Sequence, residues 1–297
     1  MAENLPRLPV GVQVFETLRH RNAVYVDKTG YFPGLESQGQ VVFCARPRRF
    51  GKTLTVTALD AFYSGKKDLF RGLAAEEHLH SPAFTPRPVI NLDMSAAGDC
   101  ATIDILNENI MNALGYNALR NNVALKGSNA TGAFFSLIND VGLSTGRKAV
   151  ILIDEYDAPV LNLVQRGKAA RDERLIDQTR SLMRGFYAQI KAAEAHIDFT
   201  FITGVSKFSR MGVFSSLNNV TDISLEEKYG TFMGYTQEEL EANFAPHIED
   251  MAKRMGIGED VLLRQMMRAH LTLPSTVLTH LNVLSCKALS PVVRNGW

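Results

Sequence analysis

One stretch of the chain concentrates residue types that can do chemistry. Arg46-Pro47-Arg48-Arg49-Phe50-Gly51-Lys52-Thr53 follows a short apolar run and precedes a helix-like segment. The phosphate-loop pattern is G-x-x-x-x-G-K-[ST] between a strand and a helix. Every position matches except the first, where Arg46 stands for glycine. Gly51 lets the backbone turn tightly with its N–H groups inward. Together with the N-terminus of the helix these groups make an anion nest. Lys52 would set its ammonium on the β- and γ-phosphates of a nucleotide, and the Thr53 hydroxyl would ligate Mg²⁺. Arg46, Arg48, Arg49 and Lys52 can together neutralise a triphosphate, although any single arginine reads equally well as a solvated loop charge. A nucleic-acid surface is not indicated, because no aromatics interleave with these cations and no wider basic patch surrounds them.

A second constellation lies about a hundred residues downstream. The apolar run at 149–153 ends in Asp154-Glu155. Asp154 would hold Mg²⁺, directly or through water, and Glu155 would polarise the attacking water. Such carboxylates leave the carboxyl end of a strand, where ligands bind in open α/β folds. Each motif also has a plainer reading. Gly51-Lys52-Thr53 can be a turn and a helix start, and Asp154-Glu155 can be an N-cap and a first-turn acid. Their joint occurrence in strand-then-helix context favours the chemical reading.

The elements that must position these residues follow from the hydrophobic pattern. Residues 40–45, 89–93, 149–154 and 199–203 are continuous β-rich runs, and 221–225 is a weaker fifth. Such runs suit parallel strands covered on both faces. Helices are expected over 53–63, 103–119, 132–143, 171–194 and 236–255. The last opens with Thr236 and Glu239 at capping-box spacing. Alternating strands and helices predict an α/β domain with a mostly parallel sheet.

Composition sets the outer limits. The chain has 297 residues, 45% hydrophobic and 21% charged, which is a globular composition. Lys+Arg total 32 and Asp+Glu total 31, so the formal net charge is +1 and any basic site must be local. Three cysteines (Cys44, Cys100, Cys286) form neither a disulfide framework nor a zinc pair. Cys44 reads as a small buried hydrophobe. No signal-peptide pattern or membrane-spanning run is evident, so the expectation is a cytoplasmic protein with no membrane partner.

With these residues placed, the chain resembles the AAA-ATPase-like family of P-loop proteins. The resemblance rests on Leu8-Pro9-Val10-Gly11, Tyr25-Val26-Asp27-Lys28-Thr29, the Arg46 to Thr53 loop and Leu152-Ile153-Asp154-Glu155-Tyr156-Asp157. Thr203-Gly204-Val205-Ser206-Lys207-Phe208-Ser209, Leu217-Asn218-Asn219, Asp222-Ile223-Ser224 and Gly234-Tyr235-Thr236 complete it over about residues 8–268. In this family Arg at the first loop position is usual.

The resemblance implies a P-loop NTPase sheet of order 5-1-4-3-2 with helices on both faces and a small helical C-terminal part. It implies ATP and Mg²⁺ as ligands, with residues 46–54 (Arg46, Pro47, Arg48, Arg49, Phe50, Gly51, Lys52, Thr53, Leu54) at the nucleotide and Thr53 and Asp154 at the metal. Glu155 and Lys52 would be catalytic. The loop after Thr203 would reach the γ-phosphate, where Thr203 or Ser206 orients water and Lys207 or Arg210 stabilises developing charge. The plainer reading of Thr203-Gly204 is a strand-ending turn. Residues 25–29 would open the helix before the central strand, with Asp27 or Thr29 as its cap.

The expected division is an ATPase-like domain over 1–235, a helical extension over 236–268 and an atypical tail over 269–297. Family members usually continue into a nuclease-like domain, so the tail reads as a truncated or frameshifted end; a genuine short tail is the competing reading. The leading functional expectation is a slow Mg-dependent ATPase acting on the β–γ phosphoanhydride bond. The alternatives are a nucleotide-gated switch that regulates a protein partner, and a degraded remnant. Homo-oligomerisation, with Arg210 serving a neighbouring subunit, stays open.

Overall fold

The apolar runs form one parallel sheet in the computed structural model, which describes residues 5–98, 100–166, 172–207, 217, 219–262 and 264. The strands are β1 (Val41–Ala45), β2 (Val89–Asp93), β3 (Ala149–Asp154), β4 (Ile197–Gly204) and β5 (Val220–Asp222). Their order is β2-β3-β4-β1-β5, with every neighbouring pair parallel. Read from the other edge this is 5-1-4-3-2. Most boundaries lie within one or two residues of expectation, and the clearest differences are at β4 and β5. β4 begins at Ile197 rather than 199. β5 ends at Asp222 rather than 225, because its carboxylate accepts the Ser224 N–H at 2.9 Å and turns the chain. The Ser224 hydroxyl then takes the Ala45 N–H at 2.8 Å, closing the end of β1.

The helices are α1 (Phe15–His20), α2 (Phe32–Leu35), α3 (Lys52–Tyr63), α4 (Glu76–His80), α5 (Ile103–Arg120), α6 (Ala130–Thr145), α7 (Ala158–Gln165), α8 (Glu173–Ala192) and α9 (Gln237–Met255). Side chains of Thr102, Asn129 and Asp172 accept N–H groups at the starts of α5, α6 and α8. The capping box of Thr236 and Glu239 opens α9 as its spacing predicts. Asp27 accepts both the N–H and the hydroxyl of Thr29, at 2.8 and 2.7 Å. It thereby fixes the turn that leads towards α2 but does not cap that helix, whose N-cap is Tyr31 with no side-chain cap bond, so neither Asp27 nor Thr29 takes the capping role expected of it.

Strand residues alternate between two cores, as strands covered on both faces must. Val41, Phe43, Ile151 and Ile153 join residues of α5, α6 and α8. Val42, Cys44, Leu152 and Phe201 join residues of α1, α2 and α3 on the other face. A third, smaller cluster sets Val26 against Leu240, Phe244 and Ile248 of α9. No helix among the described residues is long and apolar enough to cross a membrane.

The β2 edge is sealed by side chains. Asn117 of α5 accepts the Asn91 N–H at 2.7 Å and donates to the Asn91 carbonyl at 2.8 Å. One turn later Asn121 donates to the Val89 carbonyl at 3.0 Å. The Asn91 side chain reaches the opposite face, to Asp60 of α3 at 2.8 Å. Burial pushes the Asp60 carboxyl up, but its paired contacts with Arg120 outweigh this and hold it below the usual carboxylate range. Replacing Asn117 with Leu keeps the branched heavy-atom shape and strands two main-chain groups at once. Urea unfolding is expected to show a loss of about 2–4 kcal/mol. A loss below about 1 kcal/mol would mean that water replaces both bonds.

Candidate functional site

The loop from β1 into α3 carries two left-handed residues, Arg49 at φ 74° and Gly51 at φ 79°. A Cβ on Gly51 would meet nothing within 4 Å, so glycine is favoured there by conformation and not by space. Arginine in this region costs roughly 1–2 kcal/mol. The geometry that requires it turns successive N–H groups to one side, the arrangement that binds anions. The first turn of α3 adds its own unpaired donors at the same place.

The four cations divide. Arg48, Arg49 and Lys52 line a cavity of about 540 Å³. Arg46 turns elsewhere and donates to the carbonyls of Ala45 (2.9 Å), Ser224 (2.7 Å) and Tyr229 (2.8 Å). It therefore ties the end of β1 to the segment after β5, neither solvated nor aimed at the cavity. Arg48 also makes a long 3.4 Å contact to Gln165. Pro47 contributes its carbonyl, which accepts from Lys52 Nζ at 3.3 Å.

Lys52 is 4% exposed and Asp154 is 1% exposed. Burial pulls the Lys52 ammonium below the usual lysine range, while Glu155, Asp154 and Asp157 hold it up and Arg48 opposes them. Burial pushes the Asp154 carboxyl up to about 6; the nearby Thr53 hydroxyl opposes this, Asp93 and Glu155 add to it, and Lys52 opposes it. One oxygen of Asp154 accepts the Glu155 N–H at 2.9 Å. The other, Oδ2, is buried with no hydrogen-bond partner. An orphaned carboxylate oxygen beside a threonine hydroxyl fits a hard cation. Among the described residues no cluster of three His, Cys, Asp or Glu exists to cage a metal. The donor set instead suits Mg²⁺, which takes one or two protein ligands and completes its shell with phosphate and water.

Asp154 ends β3 and Glu155 adopts φ 49°, so neither caps α7, whose N-cap is Asp157. Glu155 lines the cavity together with residues 48–55. Outside this loop the cavity is lined by residues 9–13, Tyr25, Val26, Lys28, Met233, Gly234 and Tyr235. Gly234 admits no side chain, since a Cβ there would lie 2.9 Å from the Phe50 ring. Lys28 is 7% exposed and pairs with Glu239, the same residue that closes the α9 capping box. These residues outside the loop sit in blocks that support the family resemblance, but their types carry no reactive signal. Only the tertiary fold brings positions about two hundred residues apart around one cavity.

At the end of β4, Thr203 is fully buried and donates its hydroxyl to the Cys44 carbonyl at 2.6 Å. It is thus committed to holding β4 on β1; Thr203 and Gly204 are the last two residues of the strand and not the turn of the plainer reading. Ser206 lies just beyond, its N–H donated to Asp157 at 2.6 Å. Arg210 and the tail at 269–297 lie outside the described residues.

The raised Asp154 pKa has a definite sign. The folded chain binds this proton near pH 6, whereas the unfolded carboxyl binds it near 3.8. Charge on Asp154 therefore costs stability above pH 6, and the cost fades as pH falls towards 3.8. Asp154→Asn is expected to stabilise the metal-free chain at pH 7.5 by on the order of 2 kcal/mol. Denaturant titration in EDTA should find that gain reduced at pH 5; an equal gain at both values would contradict the assignment.

A family model described as Predicted AAA-ATPase matches residues 9–214, the span from the start of the cavity wall past the end of β4. An uncharacterized protein encoded in the vnfD 5′ region of Azotobacter chroococcum mcd 1 is 35% identical over 243 residues. That alignment covers 82% of this chain and 45% of the relative, so the chain spans less than half of that protein's length. The sheet order, the glycine–lysine–threonine loop and this match over most of the chain agree, and the protein belongs to the AAA-ATPase-like family.

Proposed function

We propose that the chain is a P-loop NTPase that binds ATP with Mg²⁺ in the 540 Å³ cavity and slowly hydrolyses the β–γ bond. The observation that carries this reading is the unpartnered, buried Asp154 oxygen beside Thr53 and Lys52, at the mouth of a left-handed anion nest. The cavity volume lies within the range of about 300–1,000 Å³ usual for small-molecule sites.

In this reading the Arg46 to Thr53 loop is a Walker A element and Asp154-Glu155 a Walker B element. Backbone N–H groups of the loop cradle the phosphates, and Lys52 moves from the Pro47 carbonyl to the β- and γ-oxygens. Arg48 and Arg49 add charge at the same end. Thr53 and Asp154 hold Mg²⁺, which when bound supplies charge neutralisation to the phosphate oxygens. Glu155 accepts the proton of the attacking water, and Ser206 helps to orient that water. The base lies among residues 9–13 and Tyr235. Preference for ATP over GTP is an expectation of the family. Residues 1–235 form the nucleotide-binding part, with α9 in a helical extension.

A nucleotide-gated switch with little turnover is the second reading. The Lys28–Glu239 pair favours it, because it joins the cavity wall to α9, an element a partner can read. Isothermal titration and phosphate release separate the two. Lys52→Ala should weaken Mg-ATP binding at least about tenfold. Glu155→Gln should keep binding and lower turnover by about 10²–10⁴. Turnover that survives Lys52→Ala removes the mechanism. Turnover indifferent to Glu155→Gln, with binding lost in Lys52→Ala, selects the switch.

A further inference from the structure

Asp157 occupies the N-cap of α7 yet makes no side-chain cap bond to that helix. An aspartate at an N-cap ordinarily accepts an N–H from the helix it precedes. Here the carboxylate turns away and accepts from Val205 N–H, at 3.3 and 3.2 Å to its two oxygens, and from Ser206 N–H at 2.6 Å. It does so at 2% exposure. A buried carboxylate is costly unless it is hydrogen-bonded, and these two backbone donors give each of its oxygens a partner.

Tyr156 holds the same segment from the other side. Its hydroxyl donates to the Ser206 carbonyl at 3.1 Å, and its own N–H donates to the Thr203 carbonyl at 3.1 Å. Its ring meets Phe43 edge-on at 5.4 Å, and its carbonyl accepts the Tyr187 hydroxyl of α8 at 2.8 Å. Gly204 completes the fit. A Cβ there would lie 2.5 Å from Asp157 Oδ1 and 2.5 Å from Tyr156 Cδ1. The two residues after the acid pair thus grip the N–H groups of Val205 and Ser206 and the carbonyl of Ser206.

We propose that Asp157, assisted by Tyr156, is a positioning residue that locks the Val205–Ser206 backbone to the acid-bearing end of β3, so that Glu155 and the segment after β4 act on one water. The proposal rests on the ATPase reading above and deepens it. The field of Asp157 at Lys52 places the clamp beside the phosphate end. A carboxylate suits the task because it only accepts; an asparagine would turn one donor against a donor.

The test uses the full 297-residue chain. Asp157→Ser retains a residue able to cap α7 and loses the double acceptor, and Tyr156→Phe loses only the hydroxyl. Hydrogen exchange over residues 203–207, the melting temperature, and kcat and KM for Mg-ATP are measured in each. In Asp157→Ser, exchange at the Val205 and Ser206 amides should accelerate at least about tenfold and kcat should fall at least about tenfold, with KM within about threefold. Tyr156→Phe should move both in the same direction by less. Unchanged exchange overturns the clamp. Faster exchange with unchanged kcat overturns its role in turnover. A joint loss of kcat, KM and melting temperature in both variants reduces it to general packing. Should the unmodified chain bind ATP without hydrolysing it, the ATPase reading fails by itself, and exchange still decides whether Asp157 holds the segment.

Discussion

Lys52, Asp154 and Asp157 are all nearly excluded from water at the carboxyl ends of β1 and β3. Withdrawing each ion from solvent costs several kcal/mol unless partners replace the water. The protein supplies them unequally. Asp157 accepts backbone N–H groups on both oxygens, Lys52 rests on a single carbonyl at 3.3 Å, and Asp154 keeps one oxygen bare. The groups left short of partners are those that a polyphosphate and a cation would complete. The residue with both oxygens hydrogen-bonded is the one that holds the Val205 and Ser206 N–H groups.

The rest of the fold serves to hold that edge still. Parallel pairing of β1 with β4 and of β4 with β3 brings three strand ends to one side. Cores on both faces fix the strands in register, and Arg46 ties the loop start to three carbonyls. Thr203 and Tyr156 cross-link the ends of β4 to β1 and β3. None of these contacts faces the cavity, yet each limits how far Lys52 and Glu155 can separate.

Much of this was legible in the sequence, for physical reasons that can be named. Buried parallel strands need unbroken apolar runs, so β2 and β3 appear at their expected limits. An anion nest needs a glycine at one fixed offset before the lysine, so the loop is visible as a pattern. What escaped were roles set by long-range geometry. Arg46 looked like its neighbours Arg48 and Arg49, and only the position of Ser224 and Tyr229 turns it away. Thr203 and Ser206 were equal candidates until burial against Cys44 committed the first. Apart from Lys28, the residues that line the cavity outside the loop and Glu155 are mostly valines, glycines and tyrosines whose types carry no charge pattern, and no local rule could assemble them.

The asparagine pair on α5 carries a consequence beyond the site. A strand at the margin of a sheet ordinarily offers a ladder on which another extended chain can zip. Asn117 and Asn121 occupy rungs of that ladder with amides of their own. The sheet is thereby denied growth past β2, and this flank is guarded against fibril-like stacking.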